Sequence, residues 1–231
     1  PADKLSSLIC VRSGTAPLSV KAQQTFEQRF GIPILPTYGA TEFSGAVCGW
    51  TLEAKKAFGD VKAGSVGRAY DGVGLRIADP ESGEILPMGE TGILQVRSQQ
   101  MANEHDWVST TDLASIDADG FVWLSGRADA AINRGGFRII PNEVAAILEA
   151  HAQVKEATVV AMDDARLGQV PVAAVELCEG ASGVSEASLK TWAKENMTSY
   201  FVPVRFAIVD ALPRTSSMKV SLMDVRRLFD S

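Results

Sequence analysis

Residues 32–42 read Ile-Pro-Ile-Leu-Pro-Thr-Tyr-Gly-Ala-Thr-Glu. Ile32 to Pro36 make a short apolar run with the character of a buried strand, and the Tyr38–Glu42 segment (YGATE) follows it directly. Working outward, Ser19 is a helix cap, and Ala22, Phe26 and Phe30 fall on one helical face with Gly31 just past the end. Residues 7–12 (SLICVR) form a further buried strand. Strand–helix–strand order predicts the tail of a parallel α/β unit over residues 1–58.

The pattern changes twice after that. Short alternating runs at 75–78, 92–97 and 121–124 are separated by turn clusters such as Asp79-Pro80-Glu81-Ser82-Gly83 and Asp119-Gly120. They predict a small β-barrel-like region over 59–128. From 129 to 231 the chain predicts a compact α+β domain. Pro141 opens a helix bearing Val144, Ile147 and Leu148, and strands follow at 157–162 and 171–177. Ser185 caps a helix with Leu189, Trp192 and Ala193, a strand lies at 205–209, and Ser221 with Asp224 opens the last helix before Val225, Leu228 and Phe229. Val159, Val172 and Ile208 complete the expected core of this domain.

Bulk properties exclude several classes. Apolar residues make up 46% of the 231 residues and charged residues 22%, ordinary for a globular protein. A net charge of −6, with no long basic run, argues against nucleic-acid and membrane-surface binding. The three cysteines, Cys10, Cys48 and Cys178, lack zinc spacing and point to a reducing, cytoplasmic setting. Two histidines leave little for a histidine-rich metal site, and no apolar run reaches membrane-spanning length.

Four segments carry candidate chemistry. In YGATE, Gly39 permits close backbone approach, Thr41 offers a hydroxyl to a phosphate oxygen, and Glu42 is a hard carboxylate suited to magnesium. A turn at the carboxyl end of a parallel strand is where α/β sheets bind ligands; the alternative is a loop in which Thr41 and Glu42 cap a following helix. Asp112 can accept both hydroxyls of a ribose, with Arg127 brought beside it by the Asp119-Gly120 hairpin; the alternative is a surface ion pair worth about 0–1 kcal/mol. The loop Ile132–Ile139 (INRGGFRI) carries Gly135 and Gly136, which suit either a plain hairpin turn or an approaching ligand. Lys219 ends the polar segment LPRTSSMK, as a solvated lysine or as a mobile cation for charge developing at phosphorus.

Taken together and in order, these segments resemble the AMP-forming acyl-CoA synthetase family, which includes firefly luciferases and the adenylation domains of peptide synthetases. The resemblance covers essentially the whole chain. It implies that Thr15, Ala16 and Pro17 in SGTAPL contact adenine, and that Tyr38, Gly39 and Thr41 meet adenine and phosphate. It implies Glu42 as the Mg2+ ligand, Asp112 and Arg127 as ribose contacts, and Arg138 as a phosphate contact. Gly135 and Gly136 fall in the CoA tunnel loop, Asp129 at a hinge, and Lys219 on the adenylation lysine. The implied reaction joins a carboxylic acid to CoA at the expense of ATP, with a carrier-protein thiol or a non-catalytic nucleotide-binding relative as alternatives. The implied partners are small molecules, the carboxylic acid, ATP and CoA, and the assembly is left open between monomer and homodimer. The family's phosphate loop is expected upstream of residue 1. Thr111 and Met218 stand where the family has glycine, Asn133 stands where many members have lysine, and the stretch from Ser98 to Asp106 is shorter than usual.

Overall fold

The computed structural model describes residues 5–101, 105–216 and 218–230. Residues 102–104, inside the stretch from Ser98 to Asp106, lie outside the described residues. The chain divides into two compact units, Pro1–Ser125 and Gly126–Ser231.

The first unit opens with β1 (Val11–Ser13), α1 (Val20–Phe30) and β2 (Ile34–Ala40). β1 and β2 are parallel, with Val11 opposite Ile34, as strand–helix–strand order demands. The Ser19 hydroxyl accepts the Ala22 N–H at 3.2 Å, and Gly31 closes α1 in the left-handed region at φ 67°. Two expectations change here. The strand begins at Val11, leaving Leu8 and Ile9 exposed. The covered face of α1 is polar: Gln23 is its buried residue, while Ala22 is exposed and Phe26 and Phe30 are half-buried. The reason is the entry to β2. Gln23 donates to the Ile34 carbonyl at 3.3 Å, and Glu27 accepts the Ile34 N–H at 2.8 Å, so these side chains satisfy backbone groups that would otherwise be buried unpaired.

β2 does not stop at Pro36 but runs on through Ala40. It pairs on its other edge, antiparallel, with β3 (Gly45–Gly49), with a register shift between Tyr38 and Gly39. α2 (Leu52–Phe58) and β4 (Arg68–Ala69) follow, and the sheet order is β1-β2-β3-β4. The region expected to be barrel-like is an open antiparallel meander of β5 (Val73–Ala78), β6 (Gly92–Ser98), β7 (Val108–Ile116) and β8 (Val122–Arg127), in the order β5-β6-β7-β8. Each strand pairs with its neighbour in sequence, so the hairpins build a sheet with two edges, not a closed ring. Asp117 fixes the β7–β8 turn by accepting the N–H groups of Asp119 and Phe121, the Trp123 indole N–H and the Lys62 ammonium. Burial opposes ionisation of its carboxyl, but these donors outweigh burial and hold it at about 2. Phe43, Val47, Leu94, Val96 and Val122 form the main core of this unit, with Leu35, Trp50 and Phe121 in a second cluster.

The second unit contains β9 (Ile132–Arg134), β10 (Phe137–Ile139), α3 (Pro141–Glu149), β11 (Val154–Asp164), β12 (Gly168–Leu177), α4 (Glu186–Asn196), β13 (Phe206–Val209) and α5 (Leu222–Arg227). The sheet runs β10-β9-β12-β11, with β13 parallel to β12. Pro141 occupies the first turn of α3, and Ser185 and Ser188 form a reciprocal capping box on α4. One sheet face packs Ile132, Val144, Leu148, Val175 and Leu189; the other packs Val160, Val172, Val225 and Phe229. Ile208 and Leu228, expected in the core, are exposed. Val225 on α5 and Phe229 just past its end are buried, and Leu228 between them faces outward. Trp192 packs at the core margin, and Ile147 is half-buried. No helix among the described residues is long and apolar enough to cross a membrane.

Candidate functional site

In the first unit the YGATE segment splits between two structures. Tyr38, Gly39 and Ala40 end β2, and Thr41 and Glu42 enter a 3-10 turn (Thr41–Phe43). Phe43 is buried and pins the turn, while Ser44, at φ 58°, returns the chain into β3 with its N–H on the Thr41 carbonyl. Thr41 and Glu42 are exposed and lead into a strand, so they do not cap a following helix. Glu42 is the single carboxylate of this turn, which suits a magnesium ion that brings phosphate oxygens and water as its other ligands. Among the described residues no group of three or more His, Cys, Asp or Glu side chains could hold a metal by itself.

Gly39 is needed for space. A Cβ there would stand 2.2 Å from the Gly45 carbonyl oxygen and 2.5 Å from the Ala46 Cα. Behind it, the Tyr38 hydroxyl donates to Asp112 Oδ2 at 2.5 Å. Burial, then the Asp112 carboxylate, push the Tyr38 phenol well above its usual range, so it remains a donor at every pH of interest. Asp112, on β7, gives its own N–H to the Thr110 hydroxyl at 2.9 Å. Thus the carboxylate expected to face a ribose is fixed from one side by Tyr38. Tyr38→Phe is expected to lower stability by about 1.5–3 kcal/mol, the range for a hydrogen bond to a charged group, read from denaturant unfolding. Thr15 lies in the left-handed region at φ 67°, and Thr15, Ala16 and Pro17 form an exposed bend. Val47, Cys48, Gly49 and Trp50, which follow the turn, are buried, and the Trp50 indole donates to the Ser65 carbonyl. They are core, and burial pushes the Cys48 thiol up to about 12.

In the second unit Arg127 forks onto Asp129, with Nε to Oδ1 at 2.9 Å and Nη2 to Oδ2 at 2.6 Å. Asp129 lies in a 3-10 turn (Ala128–Ala130), and Arg127 first, against a smaller burial effect, lowers its carboxyl below the usual range. Arg138 donates to the Ala128 carbonyl at 2.8 Å. Asp112 falls in the first compact unit and Arg127 at the start of the second. Gly135 and Gly136 are the two turn residues of the β9–β10 hairpin, at φ 56° and 90°, with Arg134 opposite Phe137. Two consecutive positive φ angles are what a tight two-residue hairpin requires. Beside this turn, Arg134, Phe137, Leu167, Ser199 and Tyr200 line an open cavity of about 350 Å³.

Lys219 is exposed near the end of a hairpin-like loop in which Arg214 bridges to Val220. Its neighbour Met218 has φ 65°, the angle of a glycine position. Thr111, the other residue in place of glycine, sits in β7 as ordinary extended backbone. Of these two, Met218 alone is strained. Met218→Gly is expected to raise stability by about 0.5–1 kcal/mol, the left-handed cost less glycine's entropy, measured by denaturant unfolding. Two side chains that hold these segments, Thr110 and Arg214, had no sequence signal beyond lying two residues before Asp112 and inside LPRTSSMK.

Residues 1–104 match the AMP-binding enzyme family, and residues 143–219 match the AMP-binding enzyme C-terminal domain. The 4-coumarate–CoA ligase 1 of Glycine max is 30% identical over 237 residues, covering 96% of this chain and 80% of that protein. This chain belongs to the AMP-binding enzyme family. Another member, the 2-succinylbenzoate–CoA ligase of Geobacillus kaustophilus (strain HTA426), is 34% identical over 209 residues, covering 86% of this chain and 42% of that ligase. The crystal structure of ATP-bound MatB from Rhodopseudomonas palustris superposes with a TM-score of 0.84 at 27% identity, over 96% of this chain and 46% of MatB. The chain thus spans less than half the length of these last two proteins.

Proposed function

We propose that the chain is the carboxyl-terminal portion of an ATP-dependent, AMP-forming carboxylic acid–CoA ligase. The observation that carries this reading is Lys219: an exposed ammonium on a hydrogen-bonded hairpin, in a chain that matches acid–CoA ligases along nearly its whole length. In the reaction, a carboxylate oxygen attacks the α-phosphorus of ATP, and the bond to the β-phosphate bridging oxygen breaks. Acyl-adenylate and pyrophosphate result. A CoA thiolate then attacks the acyl carbon and AMP leaves.

Each segment has a part in this reading. Thr15–Pro17 and Tyr38–Thr41 border the adenine and phosphates, Asp112 and Arg127 take the ribose, and Arg138 takes phosphate. Glu42 would hold Mg2+, which supplies charge neutralisation of the phosphates when bound. Lys219 stabilises negative charge as it builds on the α-phosphate. The Gly135-Gly136 hairpin admits the pantetheine arm of CoA because no side chain stands on its turn. Residues 1–58 and 59–128 serve the nucleotide, residues 129–231 move as a body, and Asp129 marks the hinge. The Arg127–Asp129 fork supports that last assignment, since it lies where the two compact units meet in sequence.

The test is pyrophosphate release with ATP, Mg2+ and a panel of carboxylic acids, run on this chain and on a version extended upstream to the relatives' length. The extended protein is expected to release pyrophosphate with at least one acid and to make its CoA thioester. This chain alone is expected to stay at blank level. Sustained release by the chain alone would overturn its reading as a portion, and silence of the extended protein with every acid would overturn the ligase reading.

A further inference from the structure

The incoming arm of the loop that carries Lys219 is held at two points by carboxylates of the neighbouring sheet. At its base, the buried carboxylate of Glu176, on β12, accepts the Leu212 N–H at 3.0 Å and is paired with Lys155. Further along, the Ser221 N–H returns to the Pro213 carbonyl at 2.8 Å. Nearer the tip, the Thr215 N–H donates to the Lys219 carbonyl at 2.8 Å and the Met218 N–H to the Thr215 carbonyl at 2.9 Å. The Thr215 hydroxyl also reaches the Lys219 carbonyl, at 3.2 Å.

Arg214 ties this tip to the sheet. Its Nη2 donates to Glu156 Oε2 at 2.5 Å, and its Nη1 donates to the Met218 carbonyl at 3.0 Å. Both members of the ion pair are about one-third exposed, so water screens the pair only in part. The carbonyl that Arg214 grips belongs to the one residue of this loop with a positive φ among those described. A methionine resists that angle, because its Cβ crowds the following carbonyl. An external hold on the Met218 peptide offsets that resistance, and the next residue is Lys219.

We infer that Arg214 is a positioning residue for Lys219: the Glu156–Arg214–Met218 link keeps Met218 left-handed and so sets the direction in which the Lys219 side chain leaves the loop. The functional part of this inference rests on the ligase reading. The conformational part rests on this chain alone.

Amide hydrogen exchange on the 231-residue chain tests the conformational part. Arg214→Ala and Glu156→Gln are each expected to speed exchange at the Thr215 and Met218 amides by about tenfold, with amides of β11 and β12 unchanged. Adding Met218→Gly to Arg214→Ala is expected to recover most of the protection, since glycine takes the left-handed angle without help. Unchanged exchange in both single variants overturns the inference. So does protection that Met218→Gly fails to restore, because the link would then hold the loop without acting on Met218. Glu156→Gln keeps the test decisive if Arg214→Ala lowers the melting temperature of the whole chain.

In the upstream-extended protein, the adenylation rate and thioester formation from supplied acyl-adenylate separate positioning from simple support. Arg214→Ala is expected to slow adenylation about tenfold and to leave the second step within about twofold, as for a group acting only where charge develops. Equal loss in both steps, or none in the first, overturns the positioning role. Lys219→Ala run alongside keeps the two readings apart. If that variant loses adenylation and Arg214→Ala does not, the inference alone fails. If Lys219→Ala adenylates normally, the ligase assignment of Lys219 fails, and the positioning role with it.

Discussion

Lys219→Ala, in the upstream-extended protein, is expected to lower the rate of acyl-adenylate formation by about 10²–10³-fold, the usual cost of removing one preorganised charge stabiliser. The side chain is exposed and the loop's hydrogen bonds run through its backbone, so melting should be unchanged. A cation aimed at the α-phosphate helps only while negative charge builds there. Conversion of supplied acyl-adenylate and CoA to thioester should therefore stay close to wild type. The two half-reactions are measured separately, by pyrophosphate release and by thioester formation. Equal losses in both would make Lys219 a structural residue.

Gly39→Ala is expected to cost about 3 kcal/mol of stability, the upper end for overpacking. Gly39 is not in the left-handed region; what excludes a side chain is the backbone of β3, 2.2 Å and 2.5 Å from the new Cβ. Backbone atoms cannot step aside as a flexible side chain can, so the β2–β3 pairing must open at its register shift. That moves Tyr38 away from Asp112 and disorders Thr41 and Glu42, and nucleotide affinity should fall at least about tenfold through the lost hydrogen bonds. Gly136→Ala is the control. Nothing lies within 4 Å of a Cβ at that position, so it carries only the strain of its φ of 90°, about 1–2 kcal/mol. Denaturant unfolding of both variants decides the matter. A Gly39→Ala protein as stable as wild type would mean that β2 and β3 do not approach so closely.

Local chemistry was legible in the residues. Ser19, Ser185 and Ser221 each accept a backbone N–H at a helix start, Pro141 opens α3, and Gly31 closes α1, because capping needs only atoms within a few residues of each other. The Gly135-Gly136 turn is of the same kind, its two positive φ angles following from two glycines in a row between short strands. The parallel pairing of β1 and β2 also followed, since a helix between two apolar runs leaves little other choice.

What depended on distant partners was not legible. β7 reads Val-Ser-Thr-Thr-Asp-Leu-Ala-Ser-Ile, too polar to announce a strand, and it becomes one because β6 supplies an antiparallel partner. The buried side of α1 went to Gln23 rather than to the aromatic face, because unpaired backbone at Ile34 outweighed apolar periodicity. Trp50 packs against Phe121, 71 positions later in the chain, a pairing that no local pattern announces. The candidate site divides in the same way. The residue types of YGATE, Asp112 and Lys219 were visible in one dimension. The Tyr38 hydrogen bond that fixes Asp112, and the Arg214 bridge that holds a methionine at a glycine's angle beside Lys219, are through-space contacts between segments 74 and 58 residues apart, and only folding brings them within reach.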